Sequence, residues 1–363
     1  MSCEGLHRRG HDVTLISGQA IGPEGELLGR AFEGGYKVIV LDSLRREINP
    51  FYDWWAGRQL SHLLGKIKPD IMHSHSSKAG ILARRSAFKT GGMKIVHTIH
   101  GLPFHRYLPA WWNRLYVALE RRAAQYTDAI VSVADAMTDQ ALAEGVGNSE
   151  QFTTIYSGME IEPYLTRTAD ADRWRQAMNL SDEAVLVTQV SRLAELKGHE
   201  YIIQAAGRLD DSRLHFCFVG DGLWRRRIEA TIARLGLADR FHLTGLVSPQ
   251  DIPALMHASD IVVHCSLREG LARALPQAML AGKPVISFDV DGAKEIVKTN
   301  MGILLQPKDV PGLTAAIQTL AGSPPLRQAL GQAGRELCRG LFDHNQMVDK
   351  LEDLYNRLLL RNY

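Results

Sequence analysis

The chain reads as an α/β protein built from two doubly wound Rossmann-like domains, and three observations lead there. Short β-rich apolar runs alternate with helical stretches along most of its length, the pattern of a parallel sheet covered by helices. The alternation lapses between Glu162 and Asp182, a polar stretch that contains Pro163, and restarts at Val185. At 363 residues the chain is long enough for each half to hold its own core. The domains are expected over residues 1–170 and 171–345, with a last helix over 346–363.

Met1 to Arg9 reads as the second half of a helix ending at Gly10, ahead of the strand Val13 to Ser17. A doubly wound domain ordinarily opens on a central strand whose Gly-rich turn leads into the first helix, and neither precedes this helix. The first strand is therefore expected to be missing, through an upstream start codon, a truncation or a defective copy. Gly34-Gly35 then precedes the strand Lys37 to Leu41, and Phe51 to Lys66 reads as a helix with Trp54, Trp55, Leu60, Leu63 and Leu64 available for burial. Asp70 to His75 is a strand whose period of two puts His73 and His75 on one face. Ser76 to Gly80 opens a helix with hydroxyls at its N-cap, and Lys94 to Ile99 is a strand that ends at His100-Gly101.

Strand ends in such a sheet carry binding loops, so His75 and His100 are expected to serve a polar role. His73, His75, His97 and His100 have no carboxylates at ligand spacing, and no metal site is expected from them. Phe104 to Arg122 interleaves Phe104, Tyr107, Leu108, Trp111, Trp112, Leu115 and Tyr116 with His105, Arg106, Arg114, Arg121 and Arg122. It reads either as a helix with its apolar face on the core or as a surface segment resting on an anionic bilayer. Strands follow at Ala129 to Val133 and Thr153 to Tyr156, and Ser157-Gly158-Met159-Glu160 closes the half.

The second half begins with the strand Val185 to Val190, which feeds Ser191-Arg192-Leu193-Ala194-Glu195-Leu196-Lys197-Gly198 and then a helix from Tyr201 to Leu209. Arg192 can grip two phosphate oxygens at once and Lys197 adds a point charge, as a diphosphate clamp requires. The strand Leu214 to Val219 ends in Gly220-Asp221-Gly222, before a helix from Leu223 to Leu235. A dinucleotide fingerprint is incomplete there because Arg225 replaces its third glycine. Phe241 to Gly245 is a strand followed by Leu246-Val247. Next come the apolar runs Ile261 to Cys265 and Pro284 to Phe288, joined by Ser266 to Gly282. This is a strand, loop, helix, strand unit with a ligand expected at the loop. A helix from Ala272 to Ala281 would aim free N–H groups at phosphate oxygens, and Gly270 would let the backbone approach. Glu269 would repel a phosphate and is expected to accept hydrogen bonds from neutral hydroxyls beside it. A short strand at Ile303 to Leu305 and a helix with Met347, Val348, Leu351, Leu354, Tyr355, Leu358 and Leu359 at helical spacing complete the chain.

Formal net charge is only +2, and Arg225-Arg226-Arg227 is read as a solvated helix face, so nothing points to nucleic acid. Cys3, Cys217, Cys265 and Cys338 lack metal or redox spacing and read as small hydrophobes in a reducing compartment. No apolar run is long enough to span a bilayer and the N-terminus shows no signal-peptide core, so a cytoplasmic location is expected.

Several of these stretches together resemble glycosyltransferase family 4, retaining enzymes of the GT-B fold. The residues that carry the resemblance are Ser191-Arg192-Leu193 through Lys197-Gly198, Gly220-x-Gly222, Glu269 with Gly282-Lys283-Pro284-Val285, and Asp291-Gly292-Ala293-Lys294-Glu295-Ile296-Val297. Looser matches are His100-Gly101 and Ser157-Gly158-Met159-Glu160. The family has a second glutamate eight positions after the first, and here that position is Gln277; it has Gly-Gly where this chain has Asp291-Gly292. The resemblance implies two domains facing across a cleft, with the final helix crossing back onto the first. It implies a retaining, metal-independent hexosyltransferase that moves a sugar from a nucleoside-diphosphate sugar to a saccharide or lipid-linked acceptor, in cell-surface polysaccharide or glycoconjugate synthesis, without a cofactor. In residues, it implies Arg192, Lys197, Gly220, Asp221, Val247, Gly270 and Leu271 at the donor, Glu269 on the donor sugar, and Gln277 on ribose. It further implies His100 beside the reacting carbon, with His75, Ser76 and Lys78 toward the acceptor. A nucleotide-sugar epimerase of the same fold, or a truncated, non-catalytic nucleotide-binding remnant, are the alternatives.

Overall fold

A computed structural model describes residues 1–19 and 25–360. The chain forms two compact units, one of residues 1–159 with 344–363 and one of residues 160–343. The division thus falls before the expected boundary at 170/171. Tyr164 is buried and Arg167 donates to the carbonyl of His257, which fastens this polar stretch to the second unit.

Among its described residues the first unit holds two parallel sheets. One pairs β1 (Thr14–Ser17) with β2 (Lys37–Val40). The other runs β3 (Ile71–His75), β4 (Lys94–Ile99), β5 (Ala129–Ser132) and β6 (Phe152–Thr154) in that order. The helix Pro50–Ile67 starts on Asn49, whose side chain caps the Phe51 and Tyr52 N–H groups, and buries Ala56, Leu60 and Leu64. Trp54 and Trp55, expected in the core, are 57% and 45% exposed, because the buried stripe lies on the Ala56–Leu60–Leu64 side of the helix. The last helix, His344–Leu360, completes the core of this unit: Leu351, Leu354 and Leu358 pack with Val96, Ala129, Val131 and Ile155.

The second unit contains a single six-stranded parallel sheet in the order β12-β11-β10-β7-β8-β9. Its strands are β7 (Val185–Val190), β8 (Leu214–Val219), β9 (Phe241–Gly245), β10 (Ile261–His264), β11 (Val285–Phe288) and β12 (Gly302–Leu305). Counted within the unit this is the doubly wound order, and it reverses between the first strand, β7, and the fourth, β10. The central strands read as continuous apolar runs because helices cover both faces, and Leu186, Phe216, Val262, Val263 and Ile286 are fully buried. Register is fixed by Ile261 opposite Val187 and Val262 opposite Thr188. A crevice therefore opens beyond the ends of β7 and β10, whose loops are Ser191 to Gly198 and Cys265 to Arg273.

Removing side-chain volume where the last helix meets β4 and β5 tests this core. Leu354→Ala is expected to lower unfolding free energy by about 2–5 kcal/mol in urea titrations. An unchanged midpoint would show that the helix does not pack there.

Candidate active site at the sheet switch point

The loop after β7 is clamped on both sides by backbone. Its Leu193 N–H donates to the carbonyl of Asp221 and its Leu193 carbonyl accepts from Trp224, which ties it to the loop after β8. On the other side, the carbonyl of Leu196 accepts from the Leu267 N–H and the Ser266 hydroxyl, which ties it to the loop after β10. Gln189 spans the same gap: its amide donates to the Lys197 carbonyl and its oxygen accepts from the Cys265 N–H. Such close approach excludes side chains at two points. A Cβ at Gly198 (φ +75°) would lie 1.9 Å from the Cys265 carbonyl oxygen, and one at Gly220 (φ +132°) 2.2 Å from that of Ser191. Leu196 itself adopts φ +64°, a strained conformation for a branched aliphatic residue and one that such sites commonly store.

This framework brings Lys197 and Glu269 together. The Lys197 Nζ lies 2.5 Å from Glu269 Oε1, and the same oxygen is 3.2 Å from His264 Nε2, at the end of β10. Burial alone would raise the Glu269 carboxyl, but the hydrogen bond and charge of His264 and the Lys197 ammonium outweigh it and hold the group at about 2. Asp291 accepts the Glu269 N–H through Oδ2 at 2.6 Å. Arg192, on the same loop as Lys197, is exposed and makes no hydrogen bond or ion pair with any described residue. Because Lys197 is paired with Glu269, Arg192 is the cation of this loop left available to an anion. The helix His199–Ala206, shorter than expected, begins at Gly198 with no side-chain cap, so its first N–H groups face the same loop.

The remaining donor-side positions are placed as follows. The helix of the signature loop spans only Ala274–Leu280, starting later than expected. Gln277 on it donates through Nε2 to the Tyr164 hydroxyl at 2.8 Å, which leaves its Oε1 as an acceptor. Burial pushes the Tyr164 phenol up to about 12. The Gly270 carbonyl accepts from Gly292, and Leu271 is half-buried next to it. Asp221 is 3.5 Å from Arg225. The side chain of Val247 packs on the core cluster of Leu186, Cys217 and Val219. His264, Tyr164 and Asp291 were missed as site residues. A histidine five positions ahead of Glu269 was the signal for the first; the other two meet the signature only through the fold.

In the first unit the strand period holds: His73 and His75 stack with ring centroids 4.5 Å apart. His75 Nδ1 is 3.0 Å from His100 Nε2, and His73 is fixed by the Tyr355 hydroxyl at 2.5 Å and by Thr98 at 2.7 Å. Local desolvation, with the neighbouring His100, lowers the His75 ring to about 4. His97 points to the other side, against Ser74, and no cluster suited to a metal occurs among the described residues. Ser76 stands at the N-cap, but with φ +60° its hydroxyl makes no capping bond, contrary to expectation. Lys78 is tied down by Asp53 at 2.5 Å and by the carbonyls of Arg45 and Glu47, so its charge is already compensated.

Comparison with known proteins adds three findings. The model described as Glycosyltransferase Family 4 matches residues 2–162, and that described as Glycosyl transferases group 1 matches residues 170–337. The chain is 27% identical over 350 residues to the UDP-Gal:alpha-D-GlcNAc-diphosphoundecaprenol alpha-1,3-galactosyltransferase of Escherichia coli, covering 95% of this chain and 88% of that one. It is 31% identical over 250 residues to the 2-deoxystreptamine glucosyltransferase of Streptomyces kanamyceticus, covering 68% and 64%. Among solved structures, HepE of Anabaena in complex with UDP and glucose superposes with TM-score 0.84 at 22% identity, covering 98% and 95% of the two chains.

The pairing of Glu269 has a signed consequence for stability. A carboxyl lowered from 4.5 to about 2 contributes stability that is full above pH 4.5 and is lost as pH falls toward 2. Wild type is expected to lose more stability than Glu269→Gln between about pH 6 and about pH 3 in urea titrations. Equal losses would show that the carboxylate is not held in this way.

Proposed function

The chain belongs to the GT-B glycosyltransferases, with a Glycosyltransferase Family 4 domain followed by a group 1 domain, and from that premise we propose a retaining, metal-independent hexosyl transfer from a nucleoside-diphosphate sugar. The observation that carries this reading is the meeting of Lys197 and Glu269 at the sheet switch point, with Arg192 exposed on the same loop as Lys197. The guanidinium of Arg192 grips the diphosphate, and Lys197 adds charge next to it while orienting Glu269. Together with the N-terminus of the helix His199–Ala206 they stabilise the departing nucleoside diphosphate, in the place a divalent cation takes in other transferases.

The Glu269 carboxylate, ionised throughout the physiological range, accepts hydrogen bonds from hydroxyls of the donor sugar. The free Oε1 of Gln277 takes a ribose hydroxyl, and the backbone at Val247 meets the base. Gly220, Asp221, Gly270 and Leu271 wall the nucleotide. His100, oriented by His75, stands beside the reacting carbon, and Ser76 serves the acceptor side. Lys78 acts there by fixing the loop 45–47 and not by its charge. The acceptor attacks from the face that the diphosphate leaves, and the departing phosphate oxygen takes its proton.

The acceptor is a saccharide, and a lipid-linked one suits the surface of the first unit. Trp111 and Leu115 are 59% and 43% exposed beside Arg114, and Phe51 and Trp54 are 60% and 57% exposed beside Arg58. Both groups lie in the amino-terminal halves of helices, Ala110–Ala124 and Pro50–Ile67, that follow β4 and β2 and so start at the carboxyl edge of the parallel strands. Aromatic and cationic side chains so placed suit the headgroup region of an anionic bilayer. No helix among the described residues is long and apolar enough to cross a membrane, so the proposed contact is peripheral, from the cytoplasmic side, in the synthesis of cell-surface glycans.

Thermal-shift titration with UDP, GDP and their sugars tests the donor site. At least one is expected to stabilise the wild type, and Arg192→Ala is expected to weaken that binding about tenfold or more, the scale of a lost charge-assisted hydrogen bond. Unaltered binding in Arg192→Ala and Glu269→Ala, or an epimerised nucleotide sugar produced without acceptor, would overturn the reading. Separately, flotation with anionic vesicles is expected to fall in Trp111→Ala/Trp112→Ala; identical flotation ends the bilayer proposal.

A further inference from the structure

Asp291 stands where the chain leaves β11, in the left-handed region with φ +50°. That conformation is unusual for any residue but glycine, and Asp and Asn tolerate it best. Its carboxylate meets the loop after β10. It reaches back across the sheet order to accept the backbone N–H of Glu269 at 2.6 Å, while the next residue, Gly292, donates to the Gly270 carbonyl at 3.1 Å. The turn that carries Glu269 is thus held from outside by two successive residues of the loop after β11. The side chain of Glu269 is held separately, by Lys197 and His264. A residue clamped at both its backbone and its carboxylate has little freedom left to swing out of register with a ligand.

We propose that Asp291 is a positioning residue of the donor site: its carboxylate fixes the Glu269 turn so that the Glu269 side chain meets the donor sugar in a single orientation. The proposal rests on the reading of Glu269 as the sugar-contacting residue. The short N–H to carboxylate bond is of the charge-assisted kind, stronger than one between neutral groups, and a preorganised contact favours binding by removing the ordering cost at the moment of association. Because Glu269 acts on the sugar, loss of Asp291 weakens binding of the nucleotide sugar and leaves binding of the bare nucleoside diphosphate unaltered.

Three replacements separate the hydrogen bond from the backbone conformation. Asp291→Asn keeps an acceptor oxygen and tolerates positive φ; Asp291→Gly keeps the conformation and removes the acceptor; Asp291→Ala removes both. The probes are UDP and UDP-galactose, with affinities measured by calorimetry, and amide exchange of the peptide spanning residues 266–272, measured by mass spectrometry without ligand. In Asp291→Gly and Asp291→Ala, exchange in that peptide is expected to accelerate and UDP-galactose affinity to fall about tenfold relative to UDP. In Asp291→Asn, which keeps a neutral acceptor, both are expected to change less than in Asp291→Gly and Asp291→Ala. Unchanged exchange in Asp291→Gly and Asp291→Ala overturns the inference whatever the donor, and so does equal loss in Asp291→Asn. Glu269→Ala serves as the reference. If it leaves the UDP-galactose to UDP ratio unchanged while the Asp291 variants exchange faster, the donor reading fails and the anchoring of the turn stands.

Discussion

The ion pair between Lys197 and Glu269 is the constraint around which the second unit is arranged. A carboxylate partly withdrawn from water is costly unless it is matched, and here the match comes from a different loop 72 positions earlier in the chain. The two loops can meet because the strand order reverses between β7 and β10, leaving their ends side by side with no helix between them. Glycines at 198 and 220 are needed because the loops touch through their backbones. Buried pairs contribute little net stability as a rule, so the value of this one lies in orientation: it points a carboxylate and leaves Arg192 as the exposed positive group of the loop.

Much of this could be read from residue order alone. Strand and helix alternation announced the parallel sheets, and the apolar runs at Val185, Leu214, Ile261 and Pro284 announced the central strands, because strands buried on both faces need no polar alternation. The loop that carries Arg192 and Lys197 was legible because it follows directly from the end of an apolar strand. Less legible were residues whose role arises from contacts distant in sequence. Tyr164 lies in what reads as a polar linker, yet its hydroxyl meets Gln277 113 positions later. Asp291 meets Glu269 22 positions away through a backbone N–H, which no composition signal records. The resemblance put Lys78 toward the acceptor, and the carbonyls that its ammonium meets belong to a loop more than 30 residues earlier.

The misplacement of Trp54 and Trp55 has a different origin. Helical periodicity identifies a stripe, but in Pro50–Ile67 two candidate stripes overlap: the Ala56–Leu60–Leu64 line and the aromatic cluster of the first turns. Small and aliphatic residues win the core because the neighbouring helix Ser77–Thr90 packs close against this one, as the Ser86 hydroxyl donating to the Gly57 carbonyl shows. Large rings are displaced to the outside, where guanidinium groups cover two of them: Arg58 lies 4.5 Å above the Trp54 ring and Arg45 3.8 Å above that of Tyr52.

The placement of the terminal helix bears on the order in which the molecule can be assembled during translation. Its Leu351, Leu354 and Leu358 fill the interior against Val96, Val131 and Ile155, residues made some two hundred codons earlier. The unit that emerges first from the ribosome therefore stays unfinished until this last helix has been made, whereas the contiguous segment 160–343 has all its parts beforehand. The later-made unit can therefore mature first, the reverse of the usual amino-terminal-first sequence.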